Sequence, residues 1–242
     1  DKLTDYLTEY KETSAGVATI VVHEDDIIYK MQGYADIKEK IPVDKDTVFE
    51  WGSVSKILIW ISVFQLVEDG KLDLATDITR YLPDDFRSKI SFDEPVTLQH
   101  LMHHTAGFDD SYTDLMIHNP TKKHSLREAL DIADIKQVFP PGQIASYSNY
   151  GAGLAAYIVE EVSGLEYGEY IRRHIFEPLD MTKTAIDVEL DDHQWVKAER
   201  QKVQGYTADL KLINPNHYVV PMYPVGSVMG VAEDLQKLMQ AL

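Results

Sequence analysis

Hydrophobic and polar positions follow two different periods along this chain. Leu3, Tyr6, Leu7 and Tyr10 fall on one stripe at helical spacing, which predicts a short amphipathic helix over residues 2–12. Gly16 to Val22 and Ile27 to Met31 are short apolar runs on either side of the polar Glu24-Asp25-Asp26, the pattern of an antiparallel hairpin. From Ser53 to Leu179 the period becomes helical. Loops rich in Pro, Gly and Asp divide this stretch into helices expected over 53–69, 97–104, 125–135, 150–163 and 166–176. Strand-like stretches return near Gln204–Leu212 and Tyr218–Val220, and a last helix starts at Ala232. Strands, then helices, then strands predict an α+β fold in which a large helical lobe interrupts a sheet. The expected divisions are 1–50 for the first helix and strands, 51–185 for the helical lobe and 186–242 for an incomplete return to the sheet. The chain ends at Gln240-Ala241-Leu242 without a helix-stopping signal, so a continuation beyond Leu242 is expected.

Composition removes several function classes. A chain of 242 residues is long enough for a proper core, as one large domain or two lobes. Lys+Arg number 23 against 40 Asp+Glu, a net charge of −17, so no basic stripe exists to engage a phosphate backbone and nucleic acid is not an expected partner. With no cysteine, disulfides, thiolate zinc sites and a cysteine nucleophile are all excluded. No apolar run is long enough to span a bilayer, and the chain opens on the polar Asp1-Lys2-Leu3-Thr4-Asp5, which is not a signal peptide.

The candidate chemistry begins in FEWGSVSKILIW, residues 49–60. Ser53 and Lys56 are three residues apart, which stacks their side chains one turn apart on a single helical face. A serine hydroxyl becomes a nucleophile when a neighbour takes its proton, and a partly desolvated lysine can do so. A helix start also offers free N–H groups where an attacked carbonyl would become an oxyanion. The competing reading is that Ser53 only caps the helix, and Ser55 is a rival cap or nucleophile without the three-residue spacing. A second cluster is Tyr147-Ser148-Asn149, just before the 150–163 helix and after the Pro140-Pro141-Gly142 turn. A tyrosine beside an ammonium can serve as a base, and an asparagine amide can hold a substrate carbonyl. A buried tyrosine and an Asn149 N-cap are the alternatives.

Taken together, Ser53-x-x-Lys56 and, some ninety residues on, Tyr147-x-Asn149 resemble the serine β-lactamase and penicillin-binding protein superfamily. The Tyr-x-Asn form is similar to class C β-lactamases, low-molecular-mass penicillin-binding proteins and their esterase relatives. VTLQHLMHHTAGF (96–108) resembles the Leu-x-His-Thr-Ser-Gly segment of that family, with Ala106 for serine. IFEPLDMTKT (175–184) resembles its Pro-Leu-Gly-Met-x-x-Thr turn, with Asp180 for glycine, and YPVGSVMGVAEDLQKLM (223–239) its Gly-Gly-x-x-Ser/Thr-x-x-Asp-Leu helix start. The resemblance implies a β-lactamase/transpeptidase-like fold, with an antiparallel sheet interrupted by the helical lobe. It implies Ser53 as acyl-accepting nucleophile, Lys56 as its proton acceptor, Tyr147 as proton relay and Asn149 as substrate holder, with no metal or cofactor. Implied partners are a β-lactam, a peptidoglycan stem peptide or a small ester, and the implied location is extracytoplasmic.

The family's third motif, Lys-Thr-Gly or His-x-Gly, does not occur in these 242 residues. In the family that strand completes the oxyanion hole, so the resemblance implies further C-terminal strands and a helix, from a missing segment of the same chain or from a partner. A non-turnover sensor that binds penicillin or cell-wall peptide with the same fold is the alternative function. His100, His103 and His104 share a helical face, but without a His-Glu-x-x-His arrangement zinc is not expected. Tyr112, Tyr206, Tyr218 and Tyr223 are expected to serve in packing rather than chemistry.

Overall fold

The computed structural model describes residues 2–9, 12–24, 26–110, 123–133, 135–213 and 218–242. Tyr10, Asp25 and Tyr112 lie outside the described residues. The chain forms two compact units, one built from 1–51, 176–218 and 228–242, the other from 52–175 and 219–227. The architecture is the mixed α and β one with antiparallel sheets that the sequence implies.

In the first unit, α1 (Lys2–Glu9) precedes β1 (Gly16–His23) and β2 (Asp26–Asp36), which pair antiparallel from Gly16↔Gly33 to His23↔Asp26. β3 (Ile41–Pro42) adds to the other side of β2 across a bulge between Tyr34 and Asp36. Gly33 sits at φ 80°, and a Cβ there would stand 2.2 Å from the Ala15 carbonyl oxygen, so glycine is required at this point of β2 beside the start of β1. A second small sheet has the order β4 (Phe49–Glu50), β6 (Met229–Gly230), β5 (Thr184–Ala185), all antiparallel. Val48, Ala185, Leu190, Val196 and Val231 form the core beneath it. Beyond β5 come α7 (Gln194–Arg200) and α8 (Ala232–Ala241), and α8 lies against β1.

Two of the spaced sequence matches meet in this unit. Asp234, in the first turn of α8, accepts from the Lys183 N–H at 2.6 Å and the Thr184 hydroxyl at 2.8 Å. A carboxylate there also sits favourably at the helix N-terminus. The strands expected near Gln204–Leu212 and Tyr218–Val220 do not form. The first is a tight loop closed by the single bridge Tyr206↔Leu212, because Thr207 and Asp209 turn the chain and Leu210 takes φ 58°.

The second unit is helical. α2 (Lys56–Glu68), α3 (Leu98–Met102), α4 (Leu126–Ile132) and α6 (Tyr167–Ile171) all pack on α5 (Asn149–Ser163). Every residue of α5 from Asn149 to Val159 is buried. Its small residues permit this closeness, since a Cβ on Gly153 would meet the Met222 sulfur at 2.2 Å. Three helices are shorter than their hydrophobic pattern. α3 and α4 are set at their start by capping boxes, Thr97 with His100 and Ser125 with Glu128. α6 gives way after Ile171 to a π-helical turn over Arg172–Phe176. α2 is apolar nearly all round but not fully buried, with Ile57 and Phe64 exposed.

Candidate active site

Ser53 does not open an α-helix. It lies in a 3-10 turn, Gly52–Ser55, that leads into α2 with Lys56 as the first α-helical residue. In a 3-10 turn residues three apart eclipse one another, so the Ser53–Lys56 spacing fits this turn better than an α-helix. Gly52 enters at φ 51°, a left-handed conformation. Ser53 is exposed, whereas Ser55 is fully buried and its side chain does not cap the helix.

Three hydroxyl and amine groups converge here. The Lys56 Nζ donates to the Ser53 Oγ at 3.2 Å, and the Tyr147 hydroxyl bonds the same Oγ at 3.0 Å. The Lys56 Nζ also stands 5.1 Å from the centre of the Tyr147 ring. Lys56 is only 5% exposed, and its deepest partner is a backbone carbonyl, that of Val225, at 2.8 Å. Val225 belongs to the turn Tyr223–Val225 on the returning segment 219–227, and the Tyr223 hydroxyl accepts from the Gly168 N–H at 3.0 Å to fix that turn. Burial holds the Lys56 amine below the ordinary lysine value of 10.5, with hydrogen bonding and charge from Tyr147 and the Asp110 carboxylate opposing it.

Tyr147 and Asn149 stand on either side of the cap of α5. Ser148, not Asn149, is the N-cap, accepting from the Gly151 N–H at 3.0 Å. Asn149 is therefore the first helical residue, and only 4% exposed. Its side-chain amide donates to Asp110 at 2.8 Å. The structure brings Ser53, Lys56 and Tyr147 into one hydrogen-bonded group and directs the Asn149 amide N–H to Asp110 instead.

A family model for beta-lactamase matches residues 3–242 of this sequence. The chain belongs to the beta-lactamase family. Among relatives, penicillin-binding protein 4* of Bacillus subtilis (strain 168) is 30% identical over 233 residues, 90% of this chain and 50% of that protein. The beta-lactamase of Escherichia coli (strain K12) is 30% identical over 174 residues, 72% of this chain and 44% of that protein. Of the solved structures, the penicillin binding protein from Bacillus halodurans matches with a TM-score of 0.73 at 27% identity, over 100% of this chain and 72% of that one. This beta-lactamase-family chain spans about half the length of the curated relatives it matches.

Three members of the site were not identified from the sequence. The Val225 carbonyl has no side-chain signal that could announce it. Asp110 follows the quoted 96–108 segment by two residues, and its partnership with Asn149 is a contact across 39 positions. His104 lies inside that segment, where the sequence marks it only as one of three histidines on a shared helical face. Its ring instead packs on Tyr147, with centroids 4.3 Å apart. His100 likewise accepts from the Thr97 N–H within the α3 capping box. The aromatic residues expected in packing serve as anchors: the Tyr206 hydroxyl accepts from the Ile37 N–H at 2.9 Å, and Tyr218 donates to Glu50 at 3.0 Å.

Proposed function

We propose that this chain carries the nucleophilic centre of a serine hydrolase, with acyl transfer through an ester on Ser53. The observation that supports it most is the shared Ser53 Oγ, bonded at once to a buried amine and a phenol. As Oγ attacks a carbonyl carbon, its proton passes to the neutral Lys56 Nζ. The Tyr147 hydroxyl gives its proton to the departing nitrogen or oxygen, and Lys56 returns one to Tyr147. The sum is Ser–OH plus R–CO–X giving Ser–O–CO–R plus HX, with no charge left over. Water then attacks the ester, its proton taking the same route back to Ser53. In this reading the Ser53 N–H, at the start of the Gly52–Ser55 turn, serves a developing oxyanion.

Substrates in keeping with the named relatives are β-lactams, D-alanyl-D-alanine-type peptides or small esters. Asn149 serves as substrate holder through its amide oxygen, since its N–H is engaged by Asp110. An extracytoplasmic location goes with the same relatives, and no helix among the described residues is long and apolar enough to cross a membrane. Intact-protein mass after exposure to a penicillin and to a fluorophosphonate, with Ser53→Ala in parallel, tests this reading. A Ser53-dependent adduct, or Ser53-dependent loss of the penicillin, is the expected result. A lasting adduct marks the non-turnover sensor form of the site, and drug loss marks turnover. Neither adduct nor loss with either reagent would refute a reactive Ser53.

A further inference from the structure

His104 grips the chain on both sides of Tyr147. Its backbone carbonyl accepts the Ser146 N–H at 2.8 Å, and its ring Nδ1 accepts the Ser148 N–H at 3.2 Å. Between these two bonds its ring lies against the Tyr147 ring, the planes tilted by 34°. One residue thus contacts three consecutive residues of the loop before α5. It does so from φ 55°, a left-handed backbone that costs a non-glycine residue on the order of 1 kcal/mol. Three residues on, Gly107 ties the His104 segment to the 138–139 stretch: at φ 79° its carbonyl accepts from Val138 and Phe139, and a Cβ there would lie 1.9 Å from the Phe139 oxygen.

We propose that His104 is a positioning residue for the acyl-transfer site: its neutral ring, through Nδ1 and its stacked face, holds the Tyr147 hydroxyl in reach of Ser53. This rests on the reading of Tyr147 as proton carrier given above. An acceptor Nδ1 requires the tautomer with hydrogen on Nε2. An imidazolium has two donors and no acceptor, so protonation removes the partner of the Ser148 N–H and loosens the loop. Among the described residues, the charged and titratable groups facing the ring are Lys56 from α2, Tyr147 from the loop before α5 and Asp110 from the loop after α3, with His100 and His103 on its own segment. Burial keeps the ring below the ordinary histidine value of 6.5, the Lys56 charge acts the same way, and Asp110 opposes them. The ring is therefore neutral above that lowered value, and the grip is lost as pH falls through it.

Two substitutions separate this from a merely structural role. His104→Asn places an amide oxygen near the position of Nδ1, tolerates positive φ and does not titrate. His104→Phe keeps a ring face and removes the acceptor. With tyrosines labelled at 13Cζ and the Tyr147 signal assigned by Tyr147→Phe, each full-length chain is titrated from neutral to acid pH. In the parent the Tyr147 signal moves with a midpoint below about 6.5. In His104→Asn it no longer moves with pH, although loss of the stacked ring displaces it by a constant amount, and in His104→Phe it is displaced at every pH. Ser53 acylation by a penicillin, followed in parallel, loses its acid limb in His104→Asn. It slows about 10- to 100-fold in His104→Phe, as expected when a catalytic group is misplaced. An acid-pH Tyr147 shift that persists in His104→Asn overturns the proposal, as does a parent-like Tyr147 signal in His104→Phe. If no chain is acylated, the reading of Ser53 fails while the Tyr147 signal still decides the role of His104. If His104→Phe does not fold, His104→Asn decides alone.

Discussion

Lys56 donates from its Nζ to the carbonyl oxygen of Val225 at 2.8 Å, joining the first α-helical residue of α2 to a turn 169 positions later in the chain. This bond aims the amine at Ser53 without placing an anion beside it. A carboxylate in that position would hold Lys56 charged, whereas a neutral carbonyl leaves burial as the dominant influence. Lys56→Arg tests the consequence. Arginine keeps the positive charge but cannot give up its proton at any ordinary pH. Ser53 acylation is expected to fall by about 100- to 10,000-fold, the range for loss of a general base. Rapid-mixing mass spectrometry with a penicillin reads the loss.

The pH dependence has a definite sign. On the proposed mechanism acylation draws on neutral Lys56, so its rate is expected to rise with pH through a lysine value lowered from 10.5. Stability follows in the same direction: between that lowered value and 10.5 the unfolded chain binds the extra proton, so folding is favoured as pH rises. The rising acylation limb should vanish in Lys56→Met, whatever residual rate remains.

Tyr147→Phe removes one hydroxyl and keeps the ring against His104. Because Tyr147 is 46% exposed, little packing is lost, and the melting temperature should stay within about a degree of the parent. Acylation should slow about 100-fold. A large fall in melting temperature would show that the phenol holds the fold together rather than carrying a proton.

Gly52 and Gly107 both take positive φ, yet they should respond differently to alanine. At Gly52, φ 51°, a Cβ meets nothing within 4 Å, so Gly52→Ala costs only the conformational penalty, about 1 kcal/mol. At Gly107 the added Cβ also meets the Phe139 oxygen at 1.9 Å. Gly107→Ala should therefore destabilise by clearly more than about 1 kcal/mol and slow acylation, because the displaced 137–139 segment leads to Tyr147. Urea unfolding of the two variants gives the comparison.

Glu160, near the far end of α5, accepts from the Tyr167 N–H at 2.8 Å, and burial raises its carboxyl from 4.5 to about 7. The folded chain holds this proton more tightly than the unfolded one. Its contribution is thus present below 4.5 and lost as pH rises through about 7. Glu160→Gln should flatten the dependence of melting temperature on pH across that window and be more stable than the parent above it. An unchanged profile would mean that Glu160 is not held protonated.

Much of this was legible in the sequence, for reasons that differ by element. The β1–β2 hairpin and α5 were visible because their apolar runs end in unambiguous punctuation, Glu24-Asp25-Asp26 in one case and Gly164 at φ 72° in the other. Ser53 and Lys56 were legible because their relation is local, fixed by three residues of spacing. The 3-10 turn was not, since the residues of Gly52–Ser55 suit either helix type. The loop over Gln204–Leu212 reads as a strand by composition, but among the described residues its strand-like pairing is the bridge Tyr206↔Leu212. Tyr147 lies 94 residues from Ser53, and no periodicity could have brought its hydroxyl there; the family resemblance supplied that link. The alternative of an Asn149 cap fails because Ser148 caps α5, while the Asn149 amide donates to Asp110, a contact made only by the folded chain.

The most direct test of the account is the position of the acyl group. After brief exposure to a penicillin or a fluorophosphonate the chain is digested with trypsin, and the peptide DTVFEWGSVSK, residues 46–56, is fragmented. It contains two serines, the exposed Ser53 and the buried Ser55. The account predicts that the added mass lies on Ser53 and is absent from Ser53→Ala. An adduct on Ser55, or one that survives in Ser53→Ala, would contradict it.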